Sequence, residues 1–336
     1  MEAENILLDH GSGGKVSHEL IEGLFLSYFN NTILADLDDG AVVTIGEESI
    51  AFSTDSYTVD PLFFPGGDIG RLSICGTVND LSMCGATPRY LSVGFIIEEG
   101  FPISDLKRIL ASIKQSAEEA GVLIVTGDTK VVQRKAADKI FINTSGIGAV
   151  AKGVHISGKN ACPGDKVLLS GTVADHGITI LTHREGLSVE SSLKSDVAPL
   201  NQMVEEIIAA RSHVHTLRDP TRGGIGTTLN EIAKKSGVGI KIYEEAIPMR
   251  DEVKGACELL GLDPLYLANE GKLLACVAPQ DAERVLEIIH SHRYGRDAQI
   301  IGEVFAENPG KVFMETMSGG TRIVDMLTGE QLPRIC

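Results

Sequence analysis

Short apolar strands alternate with amphipathic helices along both halves of the chain, and this alternation most constrains the fold. In the first half, the patterns predict strands at residues 41–45, 50–54, 89–97, 122–125 and 139–150, and helices at 18–29, 68–85 and 102–120. In the second half, they predict strands at 166–170, 238–242, 273–277 and 299–304, and helices at 195–211, 224–236, 251–260 and 280–290. A basic segment at 152–159 joins the halves. We therefore expect an α+β protein in which two layered halves share one cleft.

Length, charge and cysteine content limit the kinds of protein that this chain can be. A chain of 336 residues fits two domains better than a single core. The formal net charge of −16 argues against a nucleic-acid partner and against an anionic membrane surface. The six cysteines form no Cys-x-x-Cys pair and no zinc spacing, so we expect neither a disulfide framework nor a structural metal. This cysteine pattern predicts a cytoplasmic protein, and from the acidic start and the lack of a long apolar run we expect neither a signal peptide nor a membrane span.

The chain closes on Leu-Pro-Arg-Ile-Cys at residues 332–336, which places a thiol at the tip of an arm. Pro333 fixes φ and lacks an N–H, so it should keep this arm extended. The ordinary pKa of a thiol is about 8.5. Arg334 should lower the pKa of the Cys336 thiol and the neighbouring carboxylate should raise it, and the sequence leaves that balance open. A mobile thiol suits a group that must be carried into a site.

Aspartates recur at segment ends, where carboxylates from both halves could hold Mg²⁺ and substrate phosphates. They are Asp36, Asp38, Asp39, Asp55, Asp80 and Asp219. The alternative is that aspartate commonly caps helices and forms turns. Asp55 is expected to end an apolar strand, and Asp80 follows Asn79 inside a largely apolar helix, so these two are the harder ones to explain as caps.

Four loops add candidate groups, although each alone is as well explained by an ordinary turn. A glycine-rich loop at 9–15 can turn backbone N–H groups toward a ligand, and the two glycines near a helix start at 217–224 can bind an anion. At 127–130, Gly-Asp-Thr-Lys places a lysine within reach of a phosphate or oxyanion. At 269–272, Asn-Glu-Gly-Lys offers a glutamate as general base. Six histidines, at 176, 183, 213, 215, 290 and 292, form no helical metal motif and are expected to be surface or packing residues.

Seven motifs in chain order together resemble the HypE family of [NiFe]-hydrogenase maturation proteins. They are His-Gly-Ser-Gly-Gly at 10–14, Phe-Ser-Thr-Asp-Ser at 52–56, Gly-Thr-Val-Asn-Asp at 76–80, Gly-Asp-Thr-Lys at 127–130, Arg-Asp-Pro-Thr-Arg-Gly-Gly at 218–224, Asn-Glu-Gly-Lys at 269–272 and Pro-Arg-Ile-Cys at 333–336. That family is similar in fold to aminoimidazole ribonucleotide synthetase and selenophosphate synthetase. The resemblance implies an N-terminal ATP-binding and dimerisation domain with a mixed, barrel-forming sheet at 1–155, a C-terminal α/β domain at 156–328 and a mobile tail at 329–336.

The resemblance also implies an activity. A HypF-type carbamoyltransferase would load Cys336, and ATP would then drive dehydration of the S-carbamoyl group to a thiocyanate. The cyanide would pass to iron held by a HypC–HypD complex. A homodimer, ATP and Mg²⁺ belong to the same expectation.

Site residues are implied by the matched motifs, which show no departure from the family pattern at these positions. The metal and phosphate ligands would be Asp39, Asp55, Asp80 and Asp219. ATP would contact Gly127, Asp128 and Thr129, with Asn79 at the same cofactor site. Lys130 would face the carboxamide or the transferred phosphate, Glu270 would be the base, and Asn269 would orient the tail that carries Cys336.

Two alternatives remain beside this reading. A selenophosphate synthetase would need a cysteine or selenocysteine near the glycine-rich loop, and the first cysteine here is Cys75. A non-catalytic carrier would only ferry a group on the tail thiol. Intact Asp55, Asp80, Lys130 and Glu270 argue against the carrier.

Overall fold

The chain folds around two β-sheets. The structure, a computed structural model, describes residues 5–29, 31–186, 192–329, 332 and 335–336. The strands of the first half are β1 Ala41–Ile45, β2 Glu48–Tyr57, β3 Phe63–Phe64, β4 Gly67–Asp68, β5 Ala86–Glu98, β6 Leu123–Val132 and β7 Ile140–Val150. Five of them form a mixed sheet in the order β1-β2-β7-β5-β6, in which only β5 and β6 are parallel, while β3 and β4 pair separately. The expected mixed N-terminal sheet is therefore present.

Helices cover one face of this sheet. The helices of the first half are α1 Lys15–Leu20, which continues through a π-helical turn at Ile21–Phe25 into α2 Leu26–Phe29, then α3 Ile69–Met83 and α4 Ile103–Ala120. Asp68 caps α3 by accepting hydrogen bonds from the N–H groups of Gly70 and Arg71. Helix α3 is buried on nearly every side because it lies between the N-terminal sheet and the second half of the chain. Gly76 permits this packing, since a Cβ there would lie 2.2 Å from the Tyr57 hydroxyl on β2.

The second half forms a seven-stranded sheet in the order β14-β13-β10-β12-β8-β11-β9. Its strands are β8 Lys166–Leu169, β9 Val214–Arg218, β10 Gly239–Tyr243, β11 Leu274–Val277, β12 Gln299–Phe305, β13 Lys311–Glu315 and β14 Thr321–Val324. All neighbours are antiparallel except β10 and β13. Its helices are α5 Asp175–Arg184, α6 Asn201–Ala209, α7 Gly224–Ser236, α8 Asp251–Leu260 and α9 Ala282–Ser291. The predicted α+β class with two layered halves is confirmed.

Three local predictions were wrong. The helix expected at 195–211 begins only at Asn201, because Pro199 lacks an N–H and disfavours helical φ and ψ at the residue before it. The buried strand expected at 122–125 is an exposed edge strand that runs on to Val132, and Asp55 lies inside β2 rather than at its end. The sequence patterns also missed α5, β9, β13 and β14.

Residues 192–200, which we call the strap, run between the two halves without regular secondary structure. The N–H of Ser195 donates to Pro65 O (2.9 Å) and the N–H of Leu200 donates to Asn79 Oδ1 (2.8 Å). Within the described ranges, no helix is long and apolar enough to cross a membrane.

Candidate active site

Four aspartates from different elements meet beneath the N-terminal sheet. Asp55 lies on β2, Asp80 on α3, Asp39 just before β1, and Asp219 directly after β9. Burial is the largest cause that raises the pKa of each carboxyl group, to about 6 for Asp39 and well above the usual range for Asp80 and Asp219. The other three aspartates raise the pKa of Asp80 further by repulsion. The predicted meeting of carboxylates from both halves is thus present in the fold.

The four carboxylates are suitable ligands for a divalent cation, although their oxygens do not lie close together. Buried Asp39 Oδ2 and Asp219 Oδ2 have no hydrogen-bond partner among the described residues, and a cation would satisfy them. In the part of the chain that the structure describes, no three of these aspartates bring oxygens within 4.8 Å of one another. Mg²⁺ commonly takes one or two carboxylates and completes its octahedron with water and phosphate oxygens, so a spread set suits Mg²⁺ with a nucleotide better than an all-protein cage.

An ion-pair network fixes one side of this site. Arg218 Nε lies 2.7 Å from Asp39 Oδ1, and its Nη2 donates to Glu231 Oε2 on α7 at 2.7 Å. The other oxygen of Glu231 lies 2.8 Å from His18 Nε2 on α1. The network therefore ties the N-terminal helix, Asp39 and the second half together.

The neighbouring acids Asp36 and Asp38 have other partners. Both oxygens of Asp36 accept from Lys159 Nζ at 2.7 Å, and Asp38 accepts from Ser157 Oγ (2.6 Å) and Gly158 N (3.1 Å). Both acids therefore hold the segment that joins the halves. Of the three acids in this cluster, Asp39 is the one that repels Asp80 and Asp219.

A cavity of about 570 Å³ opens beside the aspartates. Asp39, Asp219, Ser53, Arg218 and Arg222 form its polar wall. Its apolar wall is formed by Ile21, Ile33, Leu34, Leu37 and Phe52. The combination of a charged wall with an apolar one is typical of a nucleotide site.

A second cavity, of about 220 Å³, holds the end of the chain and shares Arg222 with the first. The Thr58 N–H donates to Cys336 O at 3.2 Å, and Ile335 is buried in the N-terminal core. The negative charge of Cys336 is the largest cause raising the pKa of Arg222. Ile335 and Cys336, which belong to the tail expected to be mobile, are therefore docked between the two halves of the chain. The predictions for Pro333 and Arg334 lie outside the described residues.

His176 on α5, expected to be a surface or packing residue, contacts the docked tail. It is fully buried, with Nε2 2.8 Å from Ile335 O and Nδ1 2.7 Å from Ser195 Oγ in the strap. Burial lowers the pKa of this histidine. A lone histidine gives no sequence signal for such a role, because Ile335 lies 159 positions further along the chain.

Glu270 is buried near Asp55 and Asp219, and its backbone is held by the strap. Its Oε1 is buried without a partner among the described residues, and burial followed by repulsion from Asp196, Asp219 and Asp55 raises its pKa well above the usual range. Its N–H donates to Asp196 Oδ1 at 3.1 Å. Gly271 is required beside it, since a Cβ there would lie 1.9 Å from Asp196 O.

The side chains of two predicted site residues, Asn79 and Asn269, form hydrogen bonds with backbone groups. Asn79 Nδ2 donates to Ala198 O (3.1 Å) and Glu270 O (3.4 Å). Asn269 accepts from Ala174 N (2.7 Å) and donates to Pro220 O and Leu267 O. Among the described contacts, Asn269 thus fixes the loops around Glu270 and the start of α5, and the tail carbonyl is held by His176 instead.

The segment Gly127–Lys130 does not join the aspartates within one chain. Asp55 pairs in register with Thr144, Thr144 with Val93, and Val93 with Gly127, so Gly127 lies three strands away, about 14 Å. By strand alternation, Asp128 and Lys130 lie on the face of the sheet opposite to Asp55. They pair with each other at 2.9 Å and are largely exposed.

One compact set of metal-type ligands lies elsewhere. Cys162, Asp165 and His215 bring ligand atoms within 4.8 Å of one another, and no other group of three does so among the described residues. The Asp165 carboxylate already accepts from Cys162 N–H (2.8 Å) and lies 2.9 Å from His215 Nδ1. No zinc spacing marks this group in the sequence, because His215 is 50 positions from Asp165.

Comparison with known proteins explains this architecture. The AIR synthase related N-terminal domain matches residues 37–150 and the AIR synthase related C-terminal domain matches residues 162–315. A protein of Azotobacter vinelandii named carbamoyl dehydratase HypE is 53% identical over 97% of this chain and 96% of its own length. The chain belongs to the HypE family. The expected resemblance and the AIR synthase type of fold are confirmed.

Solved HypE structures match the chain over nearly its whole length. A HypE–HypF complex contains a HypE chain with a TM-score of 0.87 and 52% identity, which covers 92% of this chain and 99% of that one. A HypE structure in complex with ATP has a TM-score of 0.84 and 52% identity over 99% of this chain and 100% of that one.

Proposed function

We propose that the docked Cys336 carries the S-carbamoyl group whose dehydration this chain catalyses. The chain is an ATP-dependent carbamoyl dehydratase of hydrogenase maturation. The observation that supports the site is the position of the tail: Cys336 lies in a cavity that shares Arg222 with the larger cavity beside the aspartates.

The reaction converts R–S–C(=O)NH₂ and ATP into R–S–C≡N, ADP, phosphate and a proton. The carboxamide oxygen attacks the γ-phosphorus, the bond to ADP breaks, and the oxygen leaves as phosphate when the nitrogen loses its protons. Phosphorylation is needed because an amide oxygen is a poor leaving group. The site must also exclude water, which would intercept the activated carbon.

Asp39, Asp55, Asp80 and Asp219 are the residues that would hold Mg²⁺. When bound, the cation would neutralise the nucleotide phosphates and the mutual repulsion of these carboxylates. Arg222, which is common to both cavities, is placed to face the anionic groups of both substrates.

Glu270 is the proposed base. One of its oxygens has no hydrogen-bond partner in the described part of the chain, and its raised pKa suits a carboxylate that takes up a proton near neutral pH. Asn79, Asn269 and Asp196 would keep its backbone in place.

A homodimer would supply the missing lysine. The face of the N-terminal sheet away from α3 and the edge strand β6 expose large apolar side chains, which a second copy would cover. They include Phe52, Tyr90, Ile96, Leu123, Val125, Val131 and Ile147. Closing two such sheets into a barrel would bring Gly127–Lys130 of one copy toward the aspartates of the other. Lys130 would then face the carboxamide or the transferred phosphate, and Gly127, Asp128 and Thr129 would contact ATP.

The wider assignments complete the proposal. A HypF-type carbamoyltransferase loads Cys336, and the cyanide passes to iron on a HypC–HypD complex, in the cytoplasm. We place the N-terminal ATP-binding and dimerisation domain at 1–155, the C-terminal domain at 156–328 and the thiol-bearing tail at 329–336.

Intact mass spectrometry tests this function. The full chain is incubated with the carbamoyltransferase and carbamoyl phosphate, desalted, and then given Mg-ATP. An adduct on Cys336 that loses one water only after the second addition is expected. Cys162→Ala, which removes the exposed thiol of the chain, should behave as wild type, whereas Cys336→Ala should form no adduct and still bind ATP. An adduct that never loses water would identify a carrier instead.

A further inference from the structure

His176 connects the tail to the strap through a directional series of hydrogen bonds. Burial lowers the pKa of this histidine, so the ring is neutral at pH 7. The Ile335 carbonyl only accepts, and therefore Nε2 carries the proton and donates to it. Nδ1 then accepts from Ser195 Oγ, which in turn accepts from the Val197 N–H at 3.2 Å. Phe64 packs edge-on against the ring, with centroids 5.6 Å apart, and limits its rotation.

The same strap holds the proposed base. Asp196, between Ser195 and Val197, accepts from the N–H groups of Glu270 (3.1 Å) and Gly271 (3.3 Å). One segment of three residues thus fixes the backbone of Glu270 on one side and the imidazole that bonds the tail on the other. The separation between the tail and Glu270 is set by this segment.

We propose that His176 and Ser195 are positioning residues that keep the carbamoylated tail docked by its Ile335 carbonyl, so that dehydration depends on them and loading does not. Loading requires the tail to leave the cleft and enter a partner enzyme, whereas dehydration requires it to stay. Losing the hydrogen bond to a buried carbonyl shifts the docking equilibrium toward the free tail by about tenfold. This role rests on the proposed function for the dehydration step, although docking itself does not.

Docking is measured first, because it needs no carbamoyl chemistry. In the full-length protein, the alkylation rate of Cys336 by iodoacetamide reports the fraction of time that the tail is free. We expect His176→Leu and Ser195→Ala to raise this rate, by up to about tenfold for the former. His176→Gln keeps a donor near Nε2 and should recover most of the protection. His290→Leu is the matched control, since His290 Nε2 also lies 2.8 Å from a backbone carbonyl, that of Ala298, away from the tail.

Loading and dehydration are then compared in the same variants. His176→Leu should lower the dehydration rate of preloaded protein at saturating ATP, with KM for ATP unchanged and loading as fast as wild type or faster. Because both effects follow from one docking equilibrium, the factor by which alkylation rises multiplied by the factor by which dehydration falls should be about ten. Equal alkylation rates in wild type and both variants would overturn the docking role, whatever the chemistry. An equal fall in loading and dehydration would overturn the positioning role. If His176→Leu fails to fold, the alkylation and dehydration rates of Ser195→Ala test the docking role and the positioning role. Failure of wild type to dehydrate would count against the proposed function, while the alkylation result would still stand.

Discussion

Asp196 in the strap accepts a hydrogen bond from the Glu270 N–H at 3.1 Å. The same carboxylate forms a buried ion pair with Lys272 at 2.9 Å. Burial opposes ionisation of Asp196, but Lys272 lowers the pKa of its carboxyl group. A sequence search for charged clusters misses Asp196, because it stands as a single acid in the segment Lys-Ser-Asp-Val-Ala-Pro.

Asp196→Asn should destabilise the protein by about 3 kcal/mol, because it leaves the Lys272 ammonium buried without a counter-charge. Denaturant unfolding measures this change. In the double variant Asp196→Asn/Lys272→Met, stability should return while dehydration stays slow, since the Glu270 backbone has still lost its anionic acceptor. If the double variant recovered both its stability and its dehydration rate, Asp196 would act only by balancing the charge of Lys272.

Asp80→Asn should stop dehydration, by about a hundredfold or more, and leave loading of Cys336 intact. Without metal, the variant should be as stable as wild type or about 1 kcal/mol more stable, because it removes repulsion among buried carboxylates. The stabilisation of the wild type by Mg-ATP in a thermal melt should be lost. Asp36→Asn, which neutralises an acid paired with Lys159, is the control. It should keep both the dehydration activity and the stabilisation by Mg-ATP. Dehydration by Asp80→Asn would show that the metal set is misassigned.

Lys130→Ala and Asp80→Asn should each be inactive alone but active when mixed. If each site takes Lys130 from one copy and Asp80 from the other, a mixed dimer carries one intact site, and random exchange restores about a quarter of wild-type activity. Single-turnover dehydration after subunit exchange measures this recovery. A mixture of Asp80→Asn with Asp219→Asn cannot complement, because both aspartates belong to one chain's cluster. Equal recovery in the two mixtures, or none in either, would contradict a shared site.

Glu231→Gln should weaken the protein above pH 5 by about 3 kcal/mol and much less near pH 2. Burial opposes ionisation of Glu231, but Arg218 and His18 lower the pKa of this carboxyl to about 2. A carboxyl whose folded pKa is depressed stabilises the fold above its unfolded pKa, near 4.5, and loses that contribution as pH falls toward the folded value. Urea unfolding across this pH range gives the difference between the two proteins. Glu19→Gln, in an exposed pair with Lys15, should change stability little at any pH, and a pH-independent Glu231→Gln effect would refute the ion-pair account.

Much of the local structure followed from the sequence. The helix expected at 251–260 is α8 Asp251–Leu260, and the strand expected at 41–45 is β1, because periodicity and turn residues act over a few positions. Pro199 was the available signal against a helix in the strap. The edge strand β6 ran longer than expected because pairing with β5, and not local propensity, sets its length.

The amino-acid sequence specifies which groups this protein carries: a terminal thiol, acids beside apolar segments, a glutamate before glycine and a lysine two positions after an aspartate. Which of these groups meet depends on the folded chain. It brought Asp39, Asp55, Asp80, Asp219 and Glu270 together, turned Lys130 to the opposite face of the sheet, and joined His176 to the tail. The physical reason is that strand register and helix packing fix distances between residues far apart in the chain, and neither is encoded in a local pattern.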